Sequence, residues 1–226
     1  MNYDLILFDA DGTLFNFDKT EKEAFEKAMN AFGINHDITI LHQKYEKINK
    51  AIWQDFQDKK ISSVKLRTER FRLFAEENNL NIIPEDISPA YLIYLSQGTH
   101  LLDGAEETVE YFHGKCEIAM ATNGLSDVQK PRFAASRLAK YFKHIFISEE
   151  IGYPKPDKEY FEYIFQKLPF KNSTIIIGDN LSSDIKGGND FGIDTCWFNP
   201  QKLKNNTKII PTYEIQDLSE LKEILV

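Results

Sequence analysis

The chain has 226 residues, a length that fits one large domain or a domain carrying an insertion, and its 42% hydrophobic content is enough for a sizeable core. Twenty-seven basic against 35 acidic residues leave a formal net charge of −8. That balance excludes a polynucleotide binder working through bulk phosphate attraction, though not a small anionic substrate held by a local cation. No apolar run approaches about 18 residues, so no membrane span is expected. The opening Met1-Asn2-Tyr3-Asp4 lacks a basic signal region. Cys116 and Cys196 both fall in apolar stretches that read as strands, so buried thiols and a reducing cytoplasm are expected rather than a disulfide.

In chain order, Leu5 to Phe8 is a short, continuous apolar run, the pattern of a strand buried on both faces. The period then turns helical from about Asp18 to Gln97. Asp18 is expected to cap a helix, with Glu21 in capping-box position and Gly33 as the stop. Ala24, Phe25, Ala28, Met29 and Phe32 form its stripe. A second helix carries Leu41, Tyr45, Ile48, Ile52 and Phe56. A third starts at Ser62 or Ser63, and a fourth starts near Glu85. Four helices without a strand among them predict a small bundle.

Strand–helix alternation returns after Leu102. Strands are expected at 116–121, 144–148, 174–177 and 195–198, and helices at 126–138, 157–168, from about 182, and 217–225. This is the pattern of a parallel sheet with helices on both faces. Because one strand precedes the helical block, that block reads as an insertion into a single α/β domain. Residues 1–16 and 99–226 are expected to form a Rossmann-like core, and residues 17–98 an inserted helical cap. The hinges fall near Phe15–Phe17 and Gly98–Asp103.

In open parallel sheets, ligands bind beyond the carboxyl ends of the strands. The polar residues there are Asp9-Ala10-Asp11-Gly12-Thr13, Thr122-Asn123-Gly124, Gly152 to Pro156 with Lys155, and Gly178 to Asp184 with Asp179. Each alone reads as a cap, a turn residue or a solvated charge. Together they bring four carboxylates, a hydroxyl and a lysine to one edge. Four clustered carboxylates call for a hard cation, and glycine turns supply N–H groups for an anion. One lysine and a divalent cation do not balance four carboxylates and a phosphate, so one carboxyl is expected to hold a proton. A protonated acid beside a metal-bound carboxylate is the pair required for nucleophilic attack with general-acid help.

The four segments LILFDADGT (5–13), ATNG (121–124), Lys155-Pro156 and IIIGDNLSSD (175–184) resemble the motifs of the haloacid dehalogenase superfamily of aspartyl-phosphate hydrolases. DADGTLFNFD (9–18), NKAIWQDFQDKKISS (49–63), ISEEIGYPKP (147–156) and IKGGNDFGIDTCWFNP (185–200) are similar to its bacterial subgroup of pyrimidine 5'-nucleotidases acting on non-canonical nucleotides. The resemblance implies Asp9 as nucleophile and Asp11 as the acid that protonates the leaving oxygen and then activates water. It implies Mg²⁺ held by Asp9, the Asp11 main-chain carbonyl and Asp179. Thr122, Lys155 and backbone N–H groups around Asn123 and Gly124 would bind the phosphoryl oxygens, with Asp184 orienting Lys155 or a metal-bound water.

The implied enzyme is a cytoplasmic phosphatase acting on a small phosphorylated metabolite such as a nucleoside monophosphate, as a monomer or weak homo-oligomer, with no nucleic acid polymer or membrane as partner. Haloacid dehalogenation would have no use for Asp11, because a halide leaves without a proton. Phosphonate hydrolysis would need a cap lysine, for which Lys59, Lys60 and Lys65 read better as solvated charges. A sugar-phosphate phosphatase or mutase, and a non-catalytic phospholigand-binding protein, are the alternatives. Of the aromatics in the insertion, Tyr45 and Phe56 fit a bundle core, whereas Phe17 at the hinge and Trp53 off the main stripe are candidates for stacking on a base.

Overall fold

The computed structural model describes residues 1–34 and 37–226. Its centre is a six-stranded, all-parallel sheet: β1 (Leu5–Phe8), β2 (Glu117–Thr122), β3 (His144–Ile147), β4 (Thr174–Gly178), β5 (Asp194–Phe198) and β6 (Tyr213–Ile215), in the order β3-β2-β1-β4-β5-β6. The first strand therefore sits in the middle, and the strand order reverses beside it. Side chains alternate across the sheet, as a pleated strand requires. Leu5, Leu7, Ala119, Ala121 and Ile176 pack under Tyr160, Phe161 and Ile164 of α8 (Lys158–Lys167). Ile6, Phe8, Ile118, Met120, Ile175 and Ile177 meet Val109 and Phe112 of α5 (Ala105–Phe112) and Phe133 of α6 (Ser126–Ala135) on the other face. With apolar neighbours on both faces, β1 and β4 are buried throughout, and this explains why both read as unbroken hydrophobic runs.

Between β1 and α5 run four helices: α1 (Phe17–Ala31), α2 (Ile38–Gln57), α3 (Ser63–Asn78) and α4 (Pro84–Gln97). They share a separate apolar cluster built on Phe25, Tyr45, Phe71, Phe74 and Tyr91, to which Val128 of α6 and its N-cap residue Leu125 contribute. Aromatic side chains carry much of this packing: Tyr45 stacks on Phe71 at 5.3 Å and meets Tyr91 edge-on at 5.7 Å. The chain enters and leaves the block through paired extended segments. Asn16 N–H donates to the His100 carbonyl and Leu102 N–H to that of Leu14, both at 2.9 Å.

That pairing corrects the first helix cap. The extended linker ends at Asn16, whose side chain accepts from Lys19 N–H at 3.1 Å, so Asn16 rather than Asp18 caps α1. Glu21, expected in a capping box, instead turns inward and lies 2.6 Å from His42 Nε2. Cys116 precedes β2 instead of lying in it, while Cys196 is buried in β5; both are free thiols. Among the described residues, no helix is long and apolar enough to cross a membrane. The expected helix near Ser182 begins as one wide turn over Leu181–Ile185 and becomes α-helical in α9 (Lys186–Phe191). The helix expected at 217–225 is a 3₁₀ turn followed by the short α10 (Leu221–Ile224). Between β3 and α8 the chain makes one further helical turn, α7 (Ser148–Ile151).

Candidate active site

Asp9 and Asp11 follow β1, Thr122 ends β2, and Asp179 follows β4. Their strands are neighbours in the sheet, so adjacent carboxyl ends deliver all of them to one cleft of about 240 Å³. Its lining includes every residue singled out from the sequence: Asp9, Asp11, Thr122, Asn123, Gly124, Lys155, Asp179 and Asp184 from the sheet edge, and Phe17 and Trp53 from the helical block. Gln57, Asn180 and Ser183 complete it.

At its floor lies a buried charge cluster. The Lys155 ammonium is 1% exposed and sits 2.6 Å from Asp9 Oδ1 and 2.6 Å from Asp184 Oδ1; it also donates to the Ala121 carbonyl. Burial alone would lower the Lys155 pKa, but the charges of Asp184 and Asp9 outweigh it and hold the ammonium protonated. Burial pushes the Asp9 carboxyl up to about 7, against the pull of Lys155 and with the push of Asp184. Asp179 stands at the rim with an open face to solvent. The protein crowded around it, and then the charges of Asp9 and Asp184, raise its pKa well above the carboxylate range; given that open face, the two neighbouring charges are the firmer cause. One buried cation is thus set against three acids. Oxygens of Asp9, Asp179 and Asp184 all lie within 4.8 Å of one another, a spacing that suits a hard divalent cation with oxygen ligands.

Backbone geometry protects this arrangement. Gly12 has φ +84°, and a Cβ there would fall 2.5 Å from Asp179 Oδ2, so the turn after Asp11 needs glycine for both its conformation and its clearance. Asn123 accepts from Lys155 N–H and donates to the Lys155 carbonyl, both at 2.8 Å. Its amide therefore fixes the lysine loop to β2. Thr122 Oγ1 accepts from Gly124 N–H at 3.0 Å and keeps its own proton to donate. Trp197 Nε1 donates to the Asp179 carbonyl at 2.9 Å, tying that loop to β5.

Three contributors lie outside the strand-end residues. Gln129 and Arg132 of α6 both reach Asp11, and Trp197 supports Asp179. The only sequence signal for the first two was their i, i+3 spacing on the helix after the second motif, which is equally the spacing of a solvated face. The lysines of the helical block take no part. Lys59 pairs with Asp157, Lys60 pairs with Asp55 and Asp58, and Lys65 is exposed.

A parallel sheet whose central strand ends in paired aspartates, with a buried lysine and further acids from the neighbouring loops, defines a hydrolase of the haloacid dehalogenase-like class. Residues 3–192 match that family, and the chain belongs to it. The chain is 38% identical to pyrimidine 5'-nucleotidase PynA of Streptococcus pneumoniae, with 100% of this chain and 96% of PynA covered. It is 34% identical to pyrimidine 5'-nucleotidase YjjG of Escherichia coli, covering 100% and 99%. The crystal structure of the HAD-hydrolase YfnB from Bacillus subtilis, bound to magnesium, superposes with a TM-score of 0.92 at 36% identity, covering 99% of this chain and 98% of that one.

Proposed function

We propose that the protein is a Mg²⁺-dependent phosphomonoesterase that removes the phosphate of pyrimidine nucleoside 5'-monophosphates through a phosphorylated Asp9. The observation that carries this reading is the buried Asp9–Lys155–Asp184 cluster beside Asp179, at the end of the central strand. Full-length similarity to two proteins named pyrimidine 5'-nucleotidase supports the substrate class.

The Asp9 carboxylate would attack phosphorus in line, forming the acyl-phosphate bond as the bond from phosphorus to the sugar oxygen breaks. Asp11 would pass a proton to that oxygen, then take one from the water that hydrolyses the intermediate. Lys155, the Thr122 hydroxyl and the N–H groups around Asn123 and Gly124 would hold the phosphoryl oxygens as charge builds on them. Asp9, the Asp11 carbonyl and Asp179 would hold the metal, with Asp184 keeping Lys155 in place. When bound, Mg²⁺ would supply charge neutralisation and alignment for the transferring group. Residues 17–98 would serve as a cap over the residues 1–16 and 99–226 core, presenting Phe17 and Trp53 to the base. A net charge of −8 and a cleft of about 240 Å³ suit a small metabolite over a polyanion.

A panel of nucleoside monophosphates and sugar phosphates, assayed with Mg²⁺ and with chelator, tests the reading. The expected pattern is metal-dependent turnover highest for pyrimidine nucleotides and lost in Asp9→Asn. Equal rates across the panel would remove the nucleotidase assignment, and absence of metal-dependent turnover in the parent would remove the enzyme.

A further inference from the structure

The Asp11 carboxylate has no free oxygen. Gln129 Nε2 donates to Oδ2 at 2.6 Å, and Arg132 Nη2 donates to Oδ1. The two donors also hold each other, since Arg132 Nη2 donates to Gln129 Oε1 at 2.8 Å. Both lie on the same face of α6, and neither faces solvent: Gln129 is 1% exposed and Arg132 0%. The Arg132 guanidinium lies 4.7 Å from the Phe15 ring centre, and Phe15 belongs to the linker that enters the helical block. The motif glycine is shaped to the same purpose. A Cβ on Gly124 would fall 2.0 Å from Gln129 Nε2, so glycine at this position leaves the space through which the amide reaches Asp11.

A buried guanidinium N–H cannot cheaply lose its acceptor, and Arg132 Nε and Nη1 already lack one. Among the described residues, Asp11 is the one acid paired with Arg132. Asp11 therefore cannot leave Arg132 altogether in order to face a substrate. The Gln129 contact is different, because it is a neutral amide bond that another polar group can replace.

We propose that Arg132 and Gln129 are positioning residues for Asp11: Arg132 retains Oδ1 throughout, while Oδ2 exchanges its hydrogen bond from the Gln129 amide to the leaving oxygen of the substrate. This rests on reading Asp11 as the acid. In the first half-reaction, the electron pair of the broken phosphorus–oxygen bond stays on the leaving oxygen, and the proton carried on Oδ2 moves to it. In the second, attacking water returns a proton to Oδ2, and the Gln129 bond re-forms once the product has left. Because α6 also packs on α4 and places Leu125 and Val128 in the helical block's core, the carboxyl is held by the same helix that the block leans on.

The test compares kcat/KM for an alkyl ester, uridine 5'-monophosphate, with that for p-nitrophenyl phosphate, whose leaving group needs no proton. This ratio isolates the proton-dependent bond cleavage from any general loss of structure. Arg132→Met should lower kcat/KM for the nucleotide at least tenfold more than for the aryl ester, a fraction of what general acid catalysis contributes. Arg132→Lys should restore part of the difference. Gln129→Met, which keeps the side-chain volume and so guards against a misfolded Arg132 variant, should shift the ratio about threefold in the same direction. Equal losses on both substrates in folded variants, or no loss, would overturn the proposal. Asp11→Asn separates the two readings: if it fails to discriminate between the substrates, the acid assignment is wrong, whereas discrimination by Asp11→Asn without any by Arg132→Met and Gln129→Met removes the clamp alone.

Discussion

Gly178 ends β4 directly against the Asp184 side chain: a Cβ there would fall 2.3 Å from the carboxyl carbon. Asp184 cannot give way without leaving Lys155, on one side, and the Asn180 N–H that donates to it at 3.2 Å, on the other. Gly178→Ala should therefore cost about 1–3 kcal/mol of stability through overpacking and lower turnover at least about tenfold, because the lysine loses one of its two buried partners. Gly192 provides the contrast. Its φ is +83° but the space around it is open, so Gly192→Ala should cost about 1 kcal/mol in backbone strain and leave turnover unchanged. Urea denaturation beside steady-state kinetics on the two variants checks both halves. Strand-end acids such as these were legible in the sequence because the parallel sheet dictates where its carboxyl ends converge. The second layer was not. Gln129 and Arg132 meet Asp11 only because the fold brings α6 beside the carboxyl end of β1, and nothing in their spacing separates that from a helix face in water.

At the scale of elements, the strongly periodic helices were readable, whereas the short α5, α7 and β6 were not. α5 starts after Gly104 in the left-handed conformation, with no side-chain cap to announce it, and β6 is three residues long. The first cap moved from Asp18 to Asn16 because linker pairing, a tertiary contact, decides where the extended chain ends. Glu21, freed from capping, joins α1 to α2 through His42. Burial would lower the His42 pKa, yet its bond to Glu21 and the charges of Glu21 and Glu46 outweigh burial and raise it above 6.5. The sign follows from a raised folded value. The pair's contribution to stability is complete below the unfolded histidine's pKa, and it is lost as pH rises through the higher folded one. The melting temperature of the parent should therefore exceed that of Glu21→Gln by about 2–4 °C near pH 5.5 and by less at pH 8.5. A gap that stays constant with pH would show that the pair contributes no charge term.

At the scale of the molecule, besides the apolar packing of α4 on α6, the helical block meets the core along two seams of different character. One is the paired linker at Phe15 and Leu101, joined to α6 by the stacking of Arg132 on Phe15. The other is ionic. Arg67 of α3 lies 3.1 Å from Asp127 on α6 and 2.9 Å from Glu149 on α7, and Lys59 lies 2.8 Å from Asp157. Arg67 uses both ends of its guanidinium, and Glu149 also accepts from Ser126 N–H, so this seam is a small network more than an isolated surface pair. Its partly exposed groups should add only about 1 kcal/mol to global stability, since solvent and salt screen them. Its larger effect should be on where the block sits above the cleft. Arg67→Met should leave the melting temperature within about 3 °C of the parent, raise KM for nucleotides several-fold, and change kcat less than about twofold. The parent's KM should rise with salt more steeply than that of the variant, in which only the Lys59–Asp157 contact of this seam remains for salt to weaken. Loss of kcat with KM unchanged would place Arg67 in the chemistry, not in the seating of the block. An unchanged salt response would show that the ionic seam does not govern how the block sits above the cleft.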